Sequence, residues 1–492
     1  MMKKITKLTL ILTLIALASC KKYLEKPNKL QADIQTADQL EALINNATLF
    51  STEGSNLTAI YSTDDTEISQ DLIRAYPTAV SLSNLFYYVW DVENVINAGF
   101  DDLWTGEFKK IFTANVILSN LDNVSGTQVQ KDRIKADAYF IRAMSNWILV
   151  NHYCKPYAPS NMESPGLPLK KTTDYTENLS RASLKATYEA ILSDVTAAQE
   201  LLQNGDVVAN QRWRVSRRAI DAFLSRFYLF TGDYDKCIQS ATSALSSTAA
   251  QLVDLNTIAS GTPASYTNPN VTLTYSILND WAPNRFLYWG ELYYTRFSYN
   301  INQWYIPSQS LRDLYDPSND MRYRLFIIPN GGRRFSIVNP AQFRYTYFND
   351  GRYIPAGPTV AEVLLNKAEA QARKGELAEA LSSVNLLRQK RLRSYTALTA
   401  ANSEDAITKI LQERRRELPF AFRWMDIRRF SVNQDPSDDV ILTRNFFKIT
   451  PAGVELTSPQ TYTLPVNSLR YSVPINGIDI AASQGQIQQN NY

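Results

Sequence analysis

Histidine occurs once in this 492-residue chain and cysteine three times. A single imidazole, His152, removes most His-based metal sites and any His-dependent triad built elsewhere. It closes the apolar run Trp147 to Tyr153, where the expected role is that of a helix C-terminal residue. Cysteine is too scarce for a disulfide framework. Beside Cys20, only Cys154 and Cys237 remain, enough for one bridge at most. Net charge is scarce too. Lys3, Lys4 and Lys7 precede Cys20 and no acid does, which leaves 48 basic against 48 acidic residues from Cys20 onward. A nucleic-acid binder normally carries a basic excess, so that class is disfavoured. Beyond the N-terminus there is no run of 18 apolar residues to cross a bilayer. No catalytic or cofactor-binding signature stands out, and no metal or cofactor is expected.

What is present begins with a leader. The three lysines are followed by the apolar stretch Leu8 to Leu17, broken only by Thr9 and Thr13. These are the dimensions of a secretory signal. Its end, Leu17-Ala18-Ser19-Cys20, resembles the lipobox of bacterial lipoproteins. That resemblance implies removal of residues 1–19 and acylation of Cys20. Several acyl chains on one residue anchor a protein stably, whereas one chain is marginal. Lys21 and Lys22 are too few to form a polybasic anchor. The polar stretch 20–36 then reads as a tether.

The body carries helical periodicity. Thr36 and Gln39 form a capping-box pattern ahead of Leu40, Leu43, Ile44 and Ala47. Further helices are expected over Leu103 to Leu121, Asp132 to Val150, Ser183 to Leu202 and Ser403 to Leu418. Two segments, Arg218 to Leu245 and Val360 to Arg391, read as helical hairpins. Gly232 and Gly375 supply the positive-φ exits. Aligned on these glycines, Cys237 falls at the place of Ala380. Both are small residues where two helices approach closely, a packing role. The pattern resembles tetratricopeptide repeats. The expected fold is mainly α, with tetratricopeptide-like helix pairs as a scaffold and little β.

Residues 251–352 break the period. They are rich in Asn, Pro, Ser, Thr and Tyr, with Trp281, Tyr288, Trp289, Tyr293, Tyr294, Tyr299, Trp304 and Tyr305 among them. A second irregular aromatic patch runs from Phe86 to Asp91. Rings on loops can stack on the flat faces of sugars. The expected ligand contacts are Asp65, Trp90, Trp289, Tyr293 and Trp304. The run Glu413-Arg414-Arg415-Arg416-Glu417, with Arg423, Asp426, Arg428 and Arg429, is expected to form ion pairs across helices rather than a polyanion site.

These last residues carry a wider resemblance. Ala361 to Ala370, Val384 to Arg388, Glu413 to Leu418 and Arg423-Trp424-Met425-Asp426-Ile427-Arg428-Arg429 resemble the SusD/RagB family. So do Trp104 to Leu121, Ala136 to Ala143, Leu311 to Arg324 and Cys20-Lys21-Lys22-Tyr23-Leu24. Cys237 departs from the family's usual Ala. The resemblance implies a surface-exposed, lipid-anchored outer-membrane protein of the Bacteroidetes type. It implies a non-enzymatic binder of glycan nutrients that acts as the lid of a SusC-like TonB-dependent transporter. The alternatives are a peptide-binding lid of the same type, a surface glycoside hydrolase or an assembly scaffold without a ligand. The expected organisation is 37–250 as an N-terminal helical part, 251–352 as the ligand-side region and 353–492 as a C-terminal part. The two outer parts are expected to pack as one unit.

Overall fold

A computed structural model describes residues 34–492 apart from 98, 100, 203–204, 259–262, 269–270, 277–288, 301, 303, 329–342 and 348–351. Helices dominate. The main ones are α1 (Ala37–Ile44), α2 (Asp102–Asn120), α3 (Gln128–Tyr153), α4 (Leu184–Leu201), α5 (Arg217–Thr231) and α6 (Tyr234–Ala244). They continue with α7 (Val360–Arg373), α8 (Leu377–Gln389), α9 (Ser403–Glu417) and α10 (Arg423–Phe430).

Local chemistry explains their ends. Thr36 accepts from Gln39 N while the Gln39 side chain accepts from Thr36 N, closing the expected capping box. Ser183 and Thr359 cap α4 and α7 from one side only, their hydroxyls accepting from the backbone N–H of Ala186 and Glu362. Gly232 and Gly375 leave their helices at φ 78° and 84°. A Cβ on Gly232 would meet open space. Gly232→Ala therefore isolates the left-handed backbone penalty, and should lower stability by about 1–2 kcal/mol in urea titration.

Successive helices lie side by side: α3 packs on α2 and α4, α5 on α6, α6 on α7, and α7 on both α8 and α9. These are tetratricopeptide-like helix pairs. Cys237 and Ala380 are both fully buried, and the Cys237 sulfur lies 3.5 Å from the Asn366 carbonyl of α7. Cys154 and Cys237 are both free thiols. His152 sits in the last turn of α3, as expected, but inside the core. Burial pushes its pKa down to about 4. Its Nδ1 lies 2.7 Å from the Ile148 carbonyl and its Nε2 faces the Asn56 amide at 2.9 Å. The neutral ring with Nδ1 protonated satisfies both contacts.

Two regions differ from the sequence reading. The patch from Phe86 to Asp91 is not irregular: Leu82–Tyr88 is helical, and Trp90 follows at φ 57°. The C-terminal part also holds a long antiparallel hairpin. Its strands and those of a small sheet are β1 (Thr52–Ser55), β2 (Phe297–Tyr299), β3 (Tyr353–Pro355), β4 (Leu442–Thr450) and β5 (Gly453–Leu464). β2 is central, parallel to β1 and antiparallel to β3. β4 pairs with β5 from Leu442↔Leu464 to Thr450↔Gly453, with a bulge at Phe447/Lys448. Within 251–352, Pro263–Asn268 also pairs antiparallel with Val271–Ser276.

The charged run joins distant segments. Arg423 grips Asp64 through two bonds of 2.7 and 2.8 Å, and Arg415 Nε donates to Asp65 at 2.8 Å. Arg429 holds Glu369 of α7 through bonds of 2.6 and 2.7 Å. Arg414 and Arg429 both donate to Asp426. Ion pairing, expected from the sequence, is what these residues do, except Arg428, which is buried and donates to the Cys154 carbonyl instead. They fasten α9 and α10 to α7 and to the segment after Tyr61.

Candidate ligand-binding surface

The structure covers the residues singled out in the sequence. Asp65 is fully buried, with one carboxylate oxygen on Arg415 and the other accepting from Phe420 N at 2.8 Å. Trp90 is buried, and its indole N–H donates to the Ser62 carbonyl at 2.9 Å. Trp289 is buried edge-on against Tyr347. Tyr293 is fully buried and its hydroxyl donates to the Ala244 carbonyl at 3.0 Å. Trp304 is buried and donates to the Phe343 carbonyl at 3.2 Å. The four rings are expected on ligand-facing loops with Asp65 beside them; in the structure all five side chains are buried. Cys20, Trp281 and Tyr288 lie outside the described residues.

An exposed aromatic surface does exist, on the helical side. It starts in the core. The Tyr153 hydroxyl donates to Asp101 at 2.6 Å, and the Tyr153 ring meets Trp104 edge-on at 4.9 Å. Trp104 carries Phe108 at 4.7 Å. One turn farther along α2, Phe112 is 38% exposed. Beside it stands Tyr175, 88% exposed, with ring centroids 6.2 Å apart and planes tilted by 32°. Trp104, Phe108, Phe112 and Tyr175 line a groove of about 270 Å³, with Lys170, Thr172 and Asp174 along its polar edge.

A dense hydrogen-bond set holds Tyr175 out. Asp174 accepts from both the backbone N–H and the hydroxyl of Thr176, each at 2.8 Å. These bonds keep the Asp174 carboxyl below the usual range. Burial resists ionisation of Glu177, yet bonds from Lys170, Lys171 N and Thr172 overcome it and hold its pKa low. From α2, Asn115 donates to the carbonyls of Lys170 and Thr172, each at 3.2 Å. The loop is thus fastened on both sides of Tyr175. An exposed ring on a pre-formed loop binds without the entropy cost of ordering it.

Tyr175 is not among the residues that the sequence marks as ligand contacts. Its signal is a lone aromatic in the polar stretch Lys170 to Ser180. Phe112 was counted in the expected helix, and only the packing shows which rings of that helix stay outside.

Two family models match the sequence. One, a starch-binding family that associates with the outer membrane, matches residues 22–229, and the SusD family model matches 360–492. The SusD-like protein P2 of Formosa agariphila is 24% identical over 486 residues, covering 87% of this chain and 91% of that protein. A SusD superfamily protein of Bacteroides thetaiotaomicron superposes with a TM-score of 0.66 at 20% identity, over 93% of this chain and 100% of its own. A SusD-like carbohydrate-binding protein of Bacteroides vulgatus does so with a TM-score of 0.61 at 19% identity, over 92% and 97%. Among the described residues, no helix is long and apolar enough to cross a membrane.

Proposed function

The chain belongs to the SusD family, and from that premise we propose that it binds oligosaccharides at the cell surface, with Phe112 and Tyr175 as a stacking platform. Cys20 anchors it to the outer membrane, and the bound glycan passes to a TonB-dependent transporter that the protein covers as a lid. Ligand held between lid and transporter would favour the closed state, because only there does it touch both partners.

The observation that carries the binding reading is Tyr175: a ring almost wholly in solvent, held by a hydrogen-bonded loop beside a second exposed ring. Pyranose rings present apolar C–H faces that pack on aromatic planes. The carboxylate of Asp174 and the hydroxyl of Thr172 on the same groove would orient the sugar hydroxyls. A carbohydrate-binding relative of the same fold supports the ligand class. A glycoside hydrolase would need two carboxylates roughly 5–10 Å apart across the ligand. Among the described residues of this groove, Asp174 is the one carboxylate.

Tyr175→Ala should weaken glycan binding about tenfold in calorimetry. Its stability should stay within about 0.5 kcal/mol of wild type, because the ring buries almost nothing. Unchanged affinity for every glycan the wild type binds would remove the platform. Binding to a peptide library with no glycan bound would favour the peptide reading. Release of reducing ends would favour the hydrolase.

A further inference from the structure

Beyond Lys170 lies a second groove, between α3 and α4. It holds about 530 Å³ and is lined by Tyr139, Arg142 and Asn146 of α3, by Glu189, Ser193 and Asp194 of α4, and by Lys170 and Lys171. Ala186, Ala190 and Ala197 keep the α4 wall low. Small residues alone open a gap without giving it a purpose. Two further features do.

The first is Asn146. It is only 4% exposed, it lines the groove, and its side-chain oxygen is buried with no hydrogen-bond partner among the described residues. An orphaned buried acceptor costs about 1–3 kcal/mol. Asn also disfavours the interior of a helix relative to Ala or Leu. A Leu of similar size would pack there without either penalty, so the amide fits a position where, by turning about its own axis, it hydrogen-bonds a group from outside the chain. The second is Arg142. Two bonds of 2.7 Å fix its guanidinium to Asp194, and a third of 2.8 Å ties it to the Asn115 oxygen. Its charge also lies 5.5 Å from the centre of the Tyr139 ring. The groove therefore has a rigid polar floor and a half-buried aromatic ring beside an unmet acceptor.

Asn115 connects the two grooves. It lines the platform groove, carries the loop through the carbonyls of Lys170 and Thr172, and accepts from Arg142 of the second groove. Lys170 lines both. We infer that the α3–α4 groove is a second carbohydrate subsite, in which the Asn146 amide hydrogen-bonds a hydroxyl of a sugar unit of the chain held at Tyr175. The ligand class rests on the glycan-binding reading; the unmet acceptor and the shared wall stand without it. The groove's charges, Arg142, Lys170 and Lys171 against Glu189 and Asp194, are mixed in sign. That suits a neutral, hydroxyl-rich ligand better than a polyanion.

The test uses the soluble chain from Lys21 onward, with laminari-, cello-, malto- and manno-oligosaccharides of two to eight units, in calorimetry. Affinity in the wild type should rise with length as chains reach the second groove. Asn146→Leu should bind the shortest members normally and lose about five- to tenfold on the longest. It should melt at or above the wild-type temperature, because the orphaned acceptor is gone. Tyr175→Ala should weaken short and long members alike. If Asn146→Leu keeps the full gain with length, the second subsite is overturned while the platform stands. If it melts well below wild type with that gain intact, Asn146 is structural and the subsite is likewise overturned. If short members ignore Tyr175→Ala but lose affinity with Asn146→Leu, the groove is a sugar site and the platform is not. If no oligosaccharide binds the wild type, both fall.

Discussion

Glu369→Gln should lower stability by about 3–5 kcal/mol at pH 7, the cost of removing one partner from a buried ion pair. Glu369 is fully buried on α7. It accepts 2.6 and 2.7 Å bonds from Arg429 and a 2.9 Å bond from Arg373. Burial alone would raise its pKa, but the charges of Arg429 and Arg373 outweigh it and hold the carboxyl far below the usual range. A lowered folded pKa means the group stabilises the protein above its unfolded value, near 4.3. That contribution is lost as pH falls below it. By pH 3.5 the wild type should have given up about 1 kcal/mol through this one group. The other titrating groups are common to both proteins. The gap between wild type and Glu369→Gln should therefore narrow by about that amount between pH 7 and pH 3.5 in urea titrations. A gap under about 1 kcal/mol at pH 7 would mean the pair behaves as a solvent-screened surface bridge.

This pair also shows how much was legible in the sequence. The spacing Glu413, Arg414, Glu417 and the cluster Arg423 to Arg429 announce ion pairing, because so many opposite charges on short helices must find partners. The identity of those partners is a tertiary fact. Arg423 reaches Asp64 and Arg429 reaches Glu369, and no local pattern states either pairing. Helix ends were legible because their chemistry is local: Thr36, Ser183, Gly232 and Gly375 cap or release helices through their own side chains or φ angles. The C-terminal hairpin was not. Leu442, Arg444 and Phe446 alternate inward as a strand should, but the bulge at Phe447/Lys448 shifts the phase. Its partner strand has one buried residue, Leu464, so it has no apolar period to read. Aromatic exposure was misjudged for the same reason: density of rings in a segment says nothing of what the rest of the chain lays over them.

Trp90 tests that last point, because the sequence favoured it as a ligand contact and the structure makes it a wedge. It is 5% exposed and bonded to the Ser62 carbonyl. The Arg444 guanidinium lies 4.7 Å from the Trp90 ring and 3.7 Å from that of Tyr88. Among the described residues Arg444 has no carboxylate hydrogen-bond partner; it donates to the carbonyls of Tyr61, Thr63 and Tyr88. Burial lowers its pKa to about 10, so it stays charged at neutral pH. The three carbonyls and the two aromatic faces together balance that charge. Trp90→Ala should therefore cost about 3–5 kcal/mol, from the cavity and from the exposed cation. Binding per folded molecule should be retained. Trp90 also sits at φ 57°, a region that penalises any side chain. Trp90→Gly opens a slightly larger cavity but removes that penalty of about 1–2 kcal/mol. The Gly variant should match or exceed the Ala variant in stability, the reverse of the usual order at a core position. Both variants melting like wild type while losing glycan affinity would return Trp90 to the binding surface. Ala clearly more stable than Gly would mean that the left-handed backbone at this position costs nothing.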